Sequence, residues 1–250
     1  MIKDNLFPKP AYNIHNSQAT SACLLTCEHA SNYIPEHYNH LGLNPNLLNE
    51  HIAWDLGAES LTKYLADQLS CVAVLCQYSR LLIDCNRPLE ANSSILTISE
   101  HHYIPGNDKI SPFEKSLRIK HIFEPFHQSV AQQVSRLKKL HHEFPLIGIH
   151  SFTPTFKNQQ RHWQFSVMWK DETPFVNKII HHFKQHPLHH VIGFNEPYSA
   201  KEIPAYTTEQ HADKNHLPNV IFEVRQDLLQ SPSDIRYWGD LIKQAMDKKI

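Results

Sequence analysis

Two histidines and a glutamate are the residues of this sequence best suited to chemistry. His29 follows the apolar run in LLTCEHASN (24–32), His150 ends the run in IGIHS (147–151), and Glu223 sits inside IFEVRQD (221–227). Short apolar runs that end in polar residues read as buried strands delivering side chains to the rim of a sheet. Such rims are where α/β proteins place their sites. With the nearby carboxylates Glu28, Asp55 and Glu223, two strand-terminal histidines match what zinc takes: nitrogen donors, at least one anionic oxygen and an open fourth position. LLIDCNR (81–87) reads as a further strand of this kind, the one around which the others are organised. The four rims are expected to meet around one divalent metal ion.

Glu223 lies between apolar neighbours, where a charged carboxylate is costly unless paired or put to use. One reading is an ion pair with Arg225, which shares its face at the i, i+2 spacing of a strand. The other is a general base beside a metal-bound water, whose pKa falls to about 7. Arg80, Asn86 and Arg87 flank or close LLIDCNR, and guanidinium groups bind carboxylates through paired hydrogen bonds. Arginines at a rim therefore suggest an acidic substrate, with Arg87 alternatively pairing with Asp84 to hold the loop.

Other classes of chemistry are weakly represented. There is no G-x-S-x-G elbow, Walker loop or G-x-G-x-x-G, and only six glycines exist to build one. A formal net charge of -1 gives no footprint for nucleic acid or an acidic membrane, leaving small molecules as the expected partners. The 20 histidines include the pairs His101–His102, His141–His142, His181–His182 and His189–His190, which read as solvated surface. Five cysteines, an odd number without a C-x-x-C pair, read as small buried hydrophobes in a reducing compartment. With no apolar leader segment and no 18-residue apolar run, the chain reads as cytoplasmic.

The elements that must position these residues follow from periodicity. Residues 1–20 read as an arm lying over a single domain. Strands are expected at 22–27, 72–76, 81–84, 146–149, 165–169, 191–194 and 220–224, with helices at 57–69, 174–186, 205–215 and 233–248. Ser111-Pro112 caps a further helix with apolar residues at Ile119, Ile122, Phe126, Val130, Val134 and Leu137, which Pro125 should kink or split. Residues 90–110 and 153–163 read as long loops, the second at the mouth of the site. Strands alternating with helices predict a largely parallel or mixed sheet.

The segments CEHASNYIP, HIAWDLGA, YSRLLIDCNRPL, IGIHSFTP and LPNVIFEVRQDL, in order across residues 27–228, strongly resemble the N-formylglutamate amidohydrolase family. More distantly, D-x-N-R, H-S and F-E-x-R are similar to zinc carboxypeptidases. The resemblance implies a three-layer α/β/α fold of the phosphorylase/hydrolase-like kind with a mixed, largely parallel central sheet. It implies His29 and His150 as zinc ligands, Asn86 and Arg87 as the clamp for a substrate carboxylate, and Glu223 as the base. Zinc carboxypeptidases carry a glutamate where this chain has Asn32, so the third ligand is expected to be Asp55, then Glu28, with Asn32 a weak ligand or outer donor.

The mechanism these roles imply is hydrolysis of the amide bond of an N-formyl or N-acyl amino acid such as N-formylglutamate. Glu223 takes the proton of the attacking water and returns it to the leaving amine, while Arg80 helps hold the oxyanion. Arg225, Tyr206 and His211 are counted with the substrate-binding groups, Tyr206 and His211 being equally readable as ordinary helix residues. Two rival readings are a metallo-carboxypeptidase or amidase acting on a peptide-like or cell-wall fragment, and a catalytically silent binding protein of the same fold.

Overall fold

The computed structural model describes residues 6–247. Seven strands form one sheet: β1 (Tyr12–His15), β2 (Leu24–Cys27), β3 (Val72–Cys76), β4 (Leu146–Phe152), β5 (Phe165–Met168), β6 (Ile192–Phe194) and β7 (Asn219–Arg225). Their order is β1-β3-β2-β4-β7-β5-β6. The four central strands β3, β2, β4 and β7 run parallel. At the flanks β1 is antiparallel to β3 and β5 to β7, so the sheet is mixed.

Side-chain alternation sends each strand's residues to opposite layers. Ala73 and Leu75 of β3 pack in one core with Leu61 and Leu65 of α1 (Ala58–Gln68). That core also takes Ile179 and Phe183 of α4 (Pro174–Lys184), counted after α2 (Pro112–Arg118) and α3 (Glu124–Lys138). Trp238 and Ile242 of α6 (Pro232–Asp247), which follows α5 (Tyr206–His211), complete it. Val72, Val74 and Cys76 face the other core, with Phe126, Val130 and Val134 of α3. The result is the expected three-layer α/β/α arrangement.

Connectivity creates a crevice. From β2 the chain crosses through α1 on one face to β3, then returns through α3 on the other face to β4, on β2's opposite side. The strand order reverses between β2 and β4, and in open α/β sheets ligands bind outside the carboxyl ends of the strands at such a switch point. His29 and His150 both belong there.

Several local signals act as expected. The Ser111 and Thr173 hydroxyls accept from Glu114 N–H and Val176 N–H, each with proline at the first helical position. A π-helical turn at Ile119–Phe123 separates α2 from α3 just ahead of Pro125, which lacks the N–H a continuous helix would need. Gly57 sits at φ +80° where the chain turns into α1, and a Cβ there would lie 2.4 Å from Leu229 Cβ.

Two expectations need correction. The segment 81–87 is not a strand but a buried succession of turns. Its backbone groups are satisfied outside any ladder: Asn107 Nδ2 donates to the Leu81 carbonyl (2.8 Å), Arg118 Nη1 to the Leu82 carbonyl (3.0 Å), and Asp84 N–H to the Ser94 carbonyl (2.8 Å). The fully buried Arg118 guanidinium is thus a structural clasp. Second, the leading arm contributes strand β1, whose Tyr12 and Ile14 pack on the α3 side; residues 1–5 lie outside the described residues.

Candidate active site

The carboxyl ends of β2, β4 and β7 open into a cavity of about 510 Å³. His29 stands one residue beyond Glu28 at the end of β2, His150 lies within β4, and Glu223 lies within β7. Asp55 comes from the turn before α1, its N–H donating to the His29 carbonyl at 3.0 Å. Arg80, Asn86 and Arg87 enter from the turns after β3, and of these eight residues all but Glu28 line the wall.

The two imidazoles converge on one oxygen. His150 Nδ1 lies 2.8 Å and His29 Nδ1 3.2 Å from Asp55 Oδ2, with the rings 5.0 Å apart. Each outer nitrogen meets another carboxylate. His29 Nε2 is 2.8 Å from Asp84 Oδ1, and His150 Nε2 is 2.9 Å from Glu28 Oε2, an ion-pair distance off the hydrogen-bond axis. Carboxylates behind ligand histidines fix ring orientation and raise basicity. Arg80 joins the cluster, donating to Asp84 Oδ2 at 2.8 Å and reaching Asp55 Oδ1 at 3.5 Å.

Charge follows from this packing. Burial would raise Asp55, Asp84 and Glu28, but the histidines outweigh it: Asp55 and Asp84, the latter with Arg80 beside it, are held far below the ordinary range, and Glu28 falls to about 2. Burial would lower His150, yet Asp55 and Glu28 drive it up to about 10. Three buried carboxylates thus surround two imidazoles and one guanidinium, a cluster with more negative than positive charge when the rings are neutral. Ligand atoms of His29, Asp55 and His150 lie within 4.8 Å of one another, and all three residues are buried. This donor set fits a divalent cation.

Glu223 differs from these acids. Its Oε2 is buried without a hydrogen-bond partner, and burial, with Asp55 adding to it, pushes the carboxyl above its ordinary value although His150 pulls the other way. A carboxylate kept unpaired and less acidic than usual is suited to taking and returning a proton.

The remaining expected residues fall in different places. Asn86 Oδ1 accepts from Thr207 N–H (3.1 Å), leaving its amide to donate. Arg87 Nη1 donates to the Asn86 and Pro204 carbonyls (2.9 and 2.8 Å), and Asp84 is paired with Arg80 rather than with it. Arg225, Tyr206 and His211 do not line the cavity. Arg225 pairs with Asp227 (2.8 Å) rather than Glu223 and braces the Arg161 carbonyl (3.2 Å) in the mouth loop. Tyr206 and His211 pack on His127 of α3. Asn32 turns away, donating to the Leu48 carbonyl at 2.8 Å.

Both long loops reach the mouth. In the first, the hairpin pairing Ile98–Ser99 with His102–Tyr103 brings Glu100 to 3.2 Å from His51. In the second, pairing of 155–156 with 159–160 presents Phe156 and Lys157. Sequence reasoning missed Asp84 as the partner of His29, although it lies in a segment already singled out, and missed Tyr198 on the wall, for which no sequence signal existed.

Comparison with known proteins agrees with this fold. A solved gene product of Agrobacterium tumefaciens is similar with a TM-score of 0.90 at 29% identity, covering 95% of both chains. The N-formylglutamate amidohydrolase of Ralstonia eutropha shares the fold with a TM-score of 0.67 at 14% identity, over 95% of this chain and 96% of that one. No curated protein sequence matches. The family model described as N-formylglutamate amidohydrolase matches residues 21–230, a span that contains every group of the cavity described above, and the chain therefore belongs to that family.

Proposed function

We propose that this protein hydrolyses the amide bond of an N-formyl or N-acyl amino acid, N-formylglutamate among them, with zinc held by His29, Asp55 and His150. The observation that carries the reading is the unpartnered Oε2 of Glu223 in the same cavity as the two converging imidazoles. The bound ion would supply Lewis acidity and make water acidic enough to yield its proton near neutral pH. Glu223 takes that proton and delivers it to the leaving amine nitrogen, acting first as base and then as acid. Arg80, at the wall beside Asp55, stabilises the oxyanion. Arg87 and the Asn86 amide grip the substrate carboxylate.

His29 and His150 are kept oriented by Asp84 and Glu28, so the chain spends two further buried acids on placing its ligands. No described helix is long and apolar enough to cross a membrane. All five cysteines are free and buried, which supports a cytoplasmic setting.

The cavity volume favours a second reading within the same chemistry. About 510 Å³ is roomier than one N-formylated amino acid requires, which suits a peptide-like N-acyl substrate. Metal analysis of the purified protein, coupled to a panel of N-formyl amino acids and N-acyl peptides scored for amine release, tests both. A protein with bound zinc and no turnover of any member would instead favour the silent binding protein.

A further inference from the structure

Two buried histidines stand behind the site without a part in the chemistry above. His127 projects from α3 and His211 from the end of α5, at 9% and 8% exposure. Their rings stack 5.2 Å apart, with His127 Nδ1 3.0 Å from His211 Nε2. His127 Nε2 lies 2.9 Å from the Cys85 carbonyl. A carbonyl only accepts, so His127 Nε2 carries a proton. Burial, reinforced for His127 by its neighbour, holds both rings down to about 4, so each is neutral at pH 7. The bare Nδ1 of His127 must then accept from His211 Nε2–H. The hydrogen-bond chain runs one way, from His211 through His127 to Cys85.

The end of that chain lies between two working residues. Asp84, just before Cys85, holds His29 Nε2; Asn86, just after it, accepts from the Tyr206 and Thr207 N–H groups that open α5. Helix α5 is therefore tied to the turn at both ends: through Asn86 at its start, and through His211 and His127 at its close. Phe123, Phe126 and Tyr206 pack around His127, an apolar setting in which a lost hydrogen bond is costly.

We propose that His127 and His211 are positioning residues for the substrate clamp: as a one-way hydrogen-bonded pair they fix the Cys85 carbonyl and with it the placement of Asn86 and Arg87. The proposal rests on the reading of Asn86 and Arg87 as the groups that grip the substrate carboxylate. It places the effect of the pair on binding rather than on the proton transfers at Glu223.

The test compares His127→Phe, which keeps a ring in the cage without a donor or acceptor, with His127→Gln, whose amide supplies both. With an N-formyl amino acid as substrate, His127→Phe should raise KM about tenfold with kcat within about twofold, and His127→Gln should restore most of the loss. Amide hydrogen exchange over residues 82–90 should quicken by about tenfold in His127→Phe while exchange in β3 stays unchanged. Should His127→Phe not fold, His211→Leu, which removes only the far anchor, should move KM and exchange the same way. Unchanged KM together with unchanged exchange, a fall in kcat alone, or a Gln variant no better than Phe would overturn the proposal. If the unaltered protein turns over no N-acyl amino acid, it is the proposed reaction that fails, and the exchange measurement still decides the positioning role.

Discussion

His150 and Glu223 are register partners on the adjacent parallel strands β4 and β7, so both side chains leave the sheet on the same face and enter the same cavity. A shift of one residue in that pairing would turn one of them to the opposite layer. Register therefore does what no local motif can: it joins an imidazole committed to Asp55 and Glu28 with a carboxylate whose Oε2 has no hydrogen-bond partner among the described residues.

Removing the imidazole should empty the centre. His150→Ala is expected to lose most bound metal and nearly all activity, as is treatment of the unaltered protein with a strong chelator. Metal content by elemental analysis checks this, and a variant that retains its full complement would take His150 out of the ligand set.

Neutralising Glu223 should separate chemistry from assembly. Glu223→Gln keeps shape and metal while kcat falls by about 10²–10⁴-fold, the ordinary worth of a positioned acid–base group. Steady-state kinetics beside metal analysis gives the answer; near-normal turnover would rule out the base.

The carboxylate clamp should show itself in binding. Arg87→Ala is expected to raise KM for an N-acyl amino acid by about tenfold or more with a smaller change in kcat. The same variant should discriminate less between that substrate and its carboxamide analogue, and an unaltered KM would speak against the clamp.

Asp84→Asn tests the outer carboxylate. Loss of its charge behind His29 should weaken metal affinity by about 10–100-fold, measured by competition with a chelator of known affinity. Unchanged affinity would reduce Asp84 to a partner of Arg80 alone.

Acid should destabilise the fold through the buried histidine pair. His127 and His211 sit at about 4, below the ordinary value near 6.5, so the unfolded chain binds more protons between these limits. Their contribution is fully present above about pH 6.5 and is lost as pH falls toward 4, on the order of 1–2 kcal/mol per ring between pH 7 and 5. Thermal melts across that range should show the decline, and a His127→Phe/His211→Leu double variant should show a flatter curve. Equal slopes would assign the acid sensitivity to other groups.

Apolar runs and caps made much of this architecture readable in advance. Val72–Cys76 is a strand over the residues its pattern indicates, and Ser111-Pro112 and Thr173-Pro174 open helices as hydroxyl-proline pairs should. These are local signals, carried by side chains within a few residues of one another. LLIDCNR misled because a short apolar run reports burial without reporting backbone form. What decides its form is Asn107 and Arg118, distant side chains that replace a strand's ladder.

The sequence alone supplied the chemical alphabet: two histidines after apolar runs, a glutamate buried in one, arginines beside a third, and the order of segments that marks the family. Tertiary structure decided which acid does what. Asp55 meets both imidazoles, Asp84 and Glu28 stand behind them, Arg225 is spent on Asp227, and His211 faces His127 rather than the cavity. These assignments depend on side chains brought from as far apart in the chain as Glu28 and His150. Strand order and register set such distances, and neither is written in the residues nearby.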